Sequence, residues 1–174
     1  MKKILILSSV LLTGCVGSEE YPEYIPIDIS RLSKQEMSAI PTSAFKYLGL
    51  HEVEDKKEII DIVGVDPSVT EWCAAFVNAT LSEDNIPGSE SVSDHPLMAR
   101  SFLKWGNKVT KPRFGDIVIF ERGESGWKGH VGFFIKEQGE HYIVLGGNQN
   151  DMVSQRPYPI NKLLAIRRYV PPST

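Results

Sequence analysis

Residues 116–149 read DIVIFERGESGWKGHVGFFIKEQGEHYIVLGGNQ, and their pattern decides the fold. Asp116–Phe120, Val131–Ile135 and His141–Leu145 are short runs rich in β-branched and aromatic residues, separated by Gly-containing polar segments, the signature of successive antiparallel strands. If the last two pair as a hairpin around Gly139, residues whose numbers sum to 278 face each other. Val131, Phe133 and Ile135 then oppose Gly147, Leu145 and Ile143. That gives one nearly all-apolar face, and a slip of one residue would destroy it. The same register sets His130 opposite Asn148 on the other face, close enough for the side chains to interact.

Working outward, Leu163–Tyr169 reads as a final strand, and the sequence before residue 116 changes period. Ser33–Ile40, Ser43–Leu48, Asp55–Val63, Glu71–Leu81 and Leu97–Trp105 carry apolar residues at helical spacing, closed by Pro41, Gly49, Gly64 and Gly106 where a helix must stop. Helices followed by strands joined through short turns imply an α+β domain, with N-terminal helices packed on an antiparallel sheet. No internal repeat and no second domain is legible.

Cys73 lies in EWCAAFVN, at the expected start of a helix. Unpaired N–H groups and the helix dipole there favour a thiolate and offer donors to an oxyanion. A buried structural cysteine fits the same residues, so the helix alone does not decide. His130, in KGHVGFF at the start of a strand, is the histidine in the best setting to act as its base; Asn148 is the candidate to orient the imidazole, although GGNQND also reads as a plain turn. Trp72 and Trp105 read first as core. Trp127, in the loop before His130, is a candidate groove residue, and Trp72 is also a candidate support of the site. With two cysteines, four scattered histidines and no HExxH motif, a metal site is not expected, and no cofactor is implied. The formal net charge of −3 gives no basic footprint for nucleic acid.

The N-terminus carries a separate message. Met1-Lys2-Lys3, the apolar run Ile4–Leu12 and then Leu12-Thr13-Gly14-Cys15 make a secretory signal too short to span a bilayer as a stable helix. Its end resembles the bacterial lipobox. That resemblance implies a signal peptide over 1–14, cleavage before Cys15 and acylation of Cys15, which leaves Cys73 as the free thiol. Residues 15–30, acidic and carrying Pro22 and Pro26, read as the lipidated cysteine and a flexible tether that reaches about 50 Å when extended. The domain proper is expected over 31–174. Asp after the lipidated cysteine is an inner-membrane retention signal; Val16 stands there, which points to an outer-membrane lipoprotein facing the periplasm.

Four motifs in order, WCAAFVN (72–78), FGDIVIF (114–120), GHVGFF (129–134) and VLGGNQ (144–149), resemble the CHAP branch of the papain-like, NlpC-related cell-wall hydrolases, from about Pro67 to Arg168. The resemblance implies a cysteine on a helix against an antiparallel sheet, a histidine on the sheet and a polar third residue on the next strand: Cys73, His130 and Asn148. Phe114-Gly115-Asp116 corresponds to a structural turn. Many CHAP proteins carry Glu near the position of Gly146; this chain has glycines there, which leaves Gln149 as a possible helper of His130. The implied activity is hydrolysis of an amide bond in peptidoglycan, as endopeptidase or amidase. The alternatives are an inactive wall-binding or adaptor lipoprotein, or a papain-like hydrolase or transferase with a substrate outside the wall.

Overall fold

The computed structural model describes residues 42–171. The expected signal peptide, Cys15, the tether and the helix over Ser33–Ile40 lie outside the described residues. Within them the order is α1 (Thr42–Lys46), α2 (Lys56–Val63), α3 (Cys73–Glu83), then β1 (Asn107–Val109), β2 (Ile117–Glu121), β3 (Gly129–Gln138), β4 (His141–Gly146), β5 (Ser154–Pro159) and β6 (Leu163–Arg168). The strands form a six-stranded antiparallel sheet in the order β1-β6-β2-β3-β4-β5. This is the α+β architecture expected from the sequence.

Alternation along the strands divides the apolar residues between two faces. Ile117, Ile119, Val131, Phe133, Ile143 and Leu145 join the helices in the main core, around Trp72, Phe76, Phe102 and Ile59. Val118, Phe120, Phe134, Tyr142, Val144 and Ile166 form a smaller cluster on the opposite face. α3 is buried through Cys73–Val77, an apolar stretch that needs no polar face because it lies between the sheet and the other helices. Helix α2 ends at Gly64, whose φ of 72° lets its N–H reach the Ile60 carbonyl.

The structure departs from the sequence expectation at four points. Residues 97–105 do not form an α-helix. Ala99–Lys104 is a 3-10 segment, entered after Pro96 and tied by Ser101 Oγ donating to the His95 carbonyl at 2.6 Å and Trp105 Nε1 to the Pro87 carbonyl at 2.7 Å. Strands β1 and β5 were not legible, and both are edge strands. Pro157 and Pro159 make β5 read as a turn, yet an edge tolerates proline because one side of its ladder is open. The 278 register holds at Phe133↔Leu145 and Phe134↔Val144, but Lys136 pairs with Ile143, so Ile135 is a bulge and not the partner of Ile143. Finally, β4 ends at Gly146, and Asn148 takes a φ of 56°, so the chain leaves the sheet before Asn148 can face His130 across a ladder.

The turn Phe114-Gly115-Asp116 is structural. Buried Asp116 accepts from the Arg113 N–H at 2.7 Å and from both Nε and Nη2 of Arg168, at 2.8 and 2.6 Å. That fork fastens the start of β2 to the end of β6.

Candidate functional site

Cys73 is the first residue of α3, and its side chain is buried, with 3% exposure. The N–H groups of Val131 and Ala74 lie against the sulfur and favour its ionised form, as does Arg122; burial outweighs them and, with Glu71, pushes the thiol above its usual range. The resting sulfur is therefore a protonated thiol, against the thiolate expected from the helix start alone. Because Val131 follows His130 directly, the helix delivers Cys73 to the strand one residue from the imidazole. No hydrogen bond joins the two side chains. Catalytic contacts often close only when substrate binds.

His130 is 3% exposed, and its ring stacks on Tyr158 with centroids 4.5 Å apart and an interplanar angle of 5°. Burial pulls its pKa down from 6.5 to about 4, assisted by Arg122 and opposed by the hydrogen bond that His130 donates to Gln149. The imidazole is neutral at physiological pH.

Its tautomer follows from Gln149. Gln149 Nε2 donates to two main-chain carbonyls, Val144 at 3.2 Å and Ser154, so its amide is pinned. The orientation leaves Oε1 facing His130 Nε2 at 3.0 Å. An amide oxygen only accepts, so His130 Nε2 carries the proton and Nδ1 holds the free lone pair. The amide face is assigned by its hydrogen-bond partners, and both carbonyls agree on it.

Asn148 does not meet His130. Its Nδ2 donates to Glu71 Oε2 at 3.0 Å. The reason is the turn 148–151, in which Asn148, Asn150 and Asp151 all have φ between 56° and 61°. Asn and Asp tolerate that left-handed conformation best among side-chain-bearing residues. Buried Gln149 is the turn residue aimed back under the sheet. The sequence signal was present in GGNQND, where a lone Gln stands among residues that favour such turns.

The two glycines make room for this arrangement. A Cβ on Gly146 would sit 3.3 Å from Gln149 Oε1 and 3.4 Å from His130 Nε2, in the space that the Gln149 amide now reaches. A Cβ on Gly147 would sit 2.4 Å from Trp72 Cζ3 and 2.7 Å from Phe76 Cβ, so that glycine lets the start of α3 seat on the end of β4. Trp72 is fully buried, and its indole N–H donates to Glu52 at 2.9 Å, so it supports Cys73 from within the core.

Cys73 opens on a cleft of about 360 Å³, lined among others by Glu71, Leu97, Met98, Arg122, Trp127 and Lys128. Trp127 is 63% exposed on its wall. Among the described residues no group of three or more His, Cys, Asp or Glu could hold a metal ion, and no helix is long and apolar enough to cross a membrane.

The buried thiol at a helix start and the strand histidine both lie in the part of the chain that matches a known family. Residues 65–148 match the CHAP domain. The match runs from before Cys73 to just past the strand that carries Gly146, and the CHAP family is one of cell-wall hydrolases. Among solved structures, the chain is similar to a Staphylococcus aureus subsp. aureus Mu50 protein described as similar to lipoprotein, NLP/P60 family, with a TM-score of 0.51 and 16% identity. The alignment covers 83% of this chain and 46% of that one, so this chain spans about half its length. At that identity the likeness establishes the papain-like fold around the CHAP domain. No curated protein matches the chain significantly.

Proposed function

We propose that this protein is a lipid-anchored peptidoglycan hydrolase that cleaves an amide bond of the cell wall, with Cys73 as nucleophile and His130 as general base and acid. The observation that carries this reading is the pinned Gln149 amide, which commits His130 Nε2 to donating and so presents Nδ1 as the base. In the resting state thiol and imidazole are both neutral. The thiol proton passes to His130 Nδ1 as sulfur attacks the carbonyl carbon, and the free N–H groups of the first turn of α3 receive the oxyanion. His130 then gives that proton to the leaving amine, and the C–N bond breaks to a thioester. Water, deprotonated by His130, releases the acid and restores the thiol.

Gln149 takes the orienting role that the sequence assigned to Asn148, and Asn148 instead steadies Glu71 at the cleft rim. Acylation of Cys15 and the tether 15–30 would hold the domain at the outer membrane, facing the periplasm and within reach of the wall.

The test is digestion of purified peptidoglycan by the full chain and by Cys73→Ala, with the products resolved by mass spectrometry. New muropeptides from the wild type alone are expected. Identical digests would sink the hydrolase reading. The second reading, a wall-binding protein without turnover, draws on the protonated thiol and the missing Cys73–His130 hydrogen bond; it requires that both proteins sediment with the wall and neither cuts it.

A further inference from the structure

Resting on the hydrolase reading, we infer that Arg122 is the subsite for a substrate carboxylate close to the scissile amide, and that Glu71 occupies it in the free protein. Arg122 follows β2 directly and Glu71 lies two residues before Cys73, so the two arms meet over the cleft that holds the thiol. Arg122 Nη1 contacts Glu71 Oε2 at 2.6 Å, while the side chains remain 54% and 71% exposed. Asn148 Nδ2 donates to the same Glu71 oxygen at 3.0 Å and keeps the carboxylate on the rim, but the ion pair with Arg122 is open to water and exchanges readily.

Only one arm of the guanidinium is used in this contact. A guanidinium offers five donors in a fork that matches both oxygens of a carboxylate, so a substrate anion received by the full fork displaces a side chain held by one arm. Charge points the same way. The cleft is lined by two cations, Arg122 and Lys128, against the single acid Glu71, in a protein whose formal net charge is −3. Once Glu71 is spent on Arg122, the Lys128 ammonium remains, lying 5.4 Å from the Trp127 ring centroid. The cleft is therefore short of one negative charge, and its basic rim runs against the acidic balance of the whole chain. Leu97, Met98 and Trp127 add exposed apolar surface on the same wall. The substrate that fits is an acidic peptide, with a free carboxylate near the bond that Cys73 attacks and an apolar portion alongside it.

The experiment uses the full chain and two probes, a disaccharide tetrapeptide whose glutamyl α-carboxyl is free and the same compound with that group amidated. Wild type is expected to favour the free acid in kcat/KM by about tenfold or more, the worth of a charge-assisted contact. Arg122→Gln is expected to bring the two probes within about twofold. Glu71→Gln is expected to lower KM for the acid, because it removes the internal competitor. Added salt should raise KM for the acid more than for the amide. Equal rates on both probes, or a preference that survives in Arg122→Gln, would overturn the subsite and leave the hydrolase standing. Calorimetric titration of Cys73→Ala with the same probes reads the subsite without turnover. A binding preference that depends on Arg122, in a protein that cuts neither probe, would support the subsite while refuting the hydrolase.

Discussion

Burial of His130 without a counter-charge makes a quantitative prediction about acid stability. In the unfolded chain the imidazole takes up a proton near pH 6.5, whereas in the folded protein it does so only near pH 4. The unfolded state therefore binds the extra proton between those values, and stability falls as pH drops. The contribution is fully present above pH 6.5 and is lost on the way down to about 4. At roughly 1.4 kcal/mol per pH unit, the interval amounts to about 3 kcal/mol. His130→Phe keeps a flat ring against Tyr158 and removes the titration. Its loss of the Gln149 contact is a constant offset at every pH. Urea unfolding of both proteins from pH 7 to 4 isolates the term, since carboxylates contribute alike to each. The wild type should lose about 3 kcal/mol more than the variant across that range. Parallel loss in the two proteins, or a His130 ring resonance that titrates near 6.5, would refute the buried neutral imidazole and with it the proposed resting state. In catalysis the same burial places the acid limb of kcat/KM near 4 rather than 6.5.

Gln149→Ala should lower kcat by about 10- to 100-fold with little change in KM, because the imidazole loses the group that fixes its tautomer, and unfolding should show a loss of about 1–3 kcal/mol from the unpaired buried N–H. Gln149→Glu should instead raise the His130 pKa and move the acid limb of the rate profile upward. Gly147→Ala should cost about 3 kcal/mol in a denaturation midpoint, since the added methyl overlaps Trp72 and Phe76. Arg168→Ala should cost about 3 kcal/mol by the same measurement, because it strands the buried Asp116 carboxylate without its fork.

The four central strands were legible because each has a buried face and therefore a regular pattern. The edges were not: β1 is three residues long, and β5 carries prolines that only an edge permits. Helix α3 was legible to within two residues because its apolar positions recur, whereas residues 97–105 hold apolar residues at similar spacing but are fixed by side-chain bonds into a tighter turn. At the site, Cys73 and His130 stood out by residue type and setting. The hydrogen-bond partner of His130 was expected at Asn148, and the structure has it one residue on, at Gln149. Extrapolating a ladder past its last pair cannot register that the chain turns left-handed at Asn148. The protonation of Cys73 was equally invisible, since a sequence shows the helix start but not how deeply the sulfur is covered.

The bulge at Ile135 separates two registers within one hairpin. On its inner side the pairing ties β3 to β4 next to His130 and Gly146; on its outer side it belongs to the turn at Gly139. Because the strands already slip at the bulge, a change in the length of that turn is expected to shift the outer pairs while the pairs beside His130 keep their alignment. The outer end of this hairpin is thus the place where the protein is expected to accept an inserted epitope or label without disturbing the pairing beside His130.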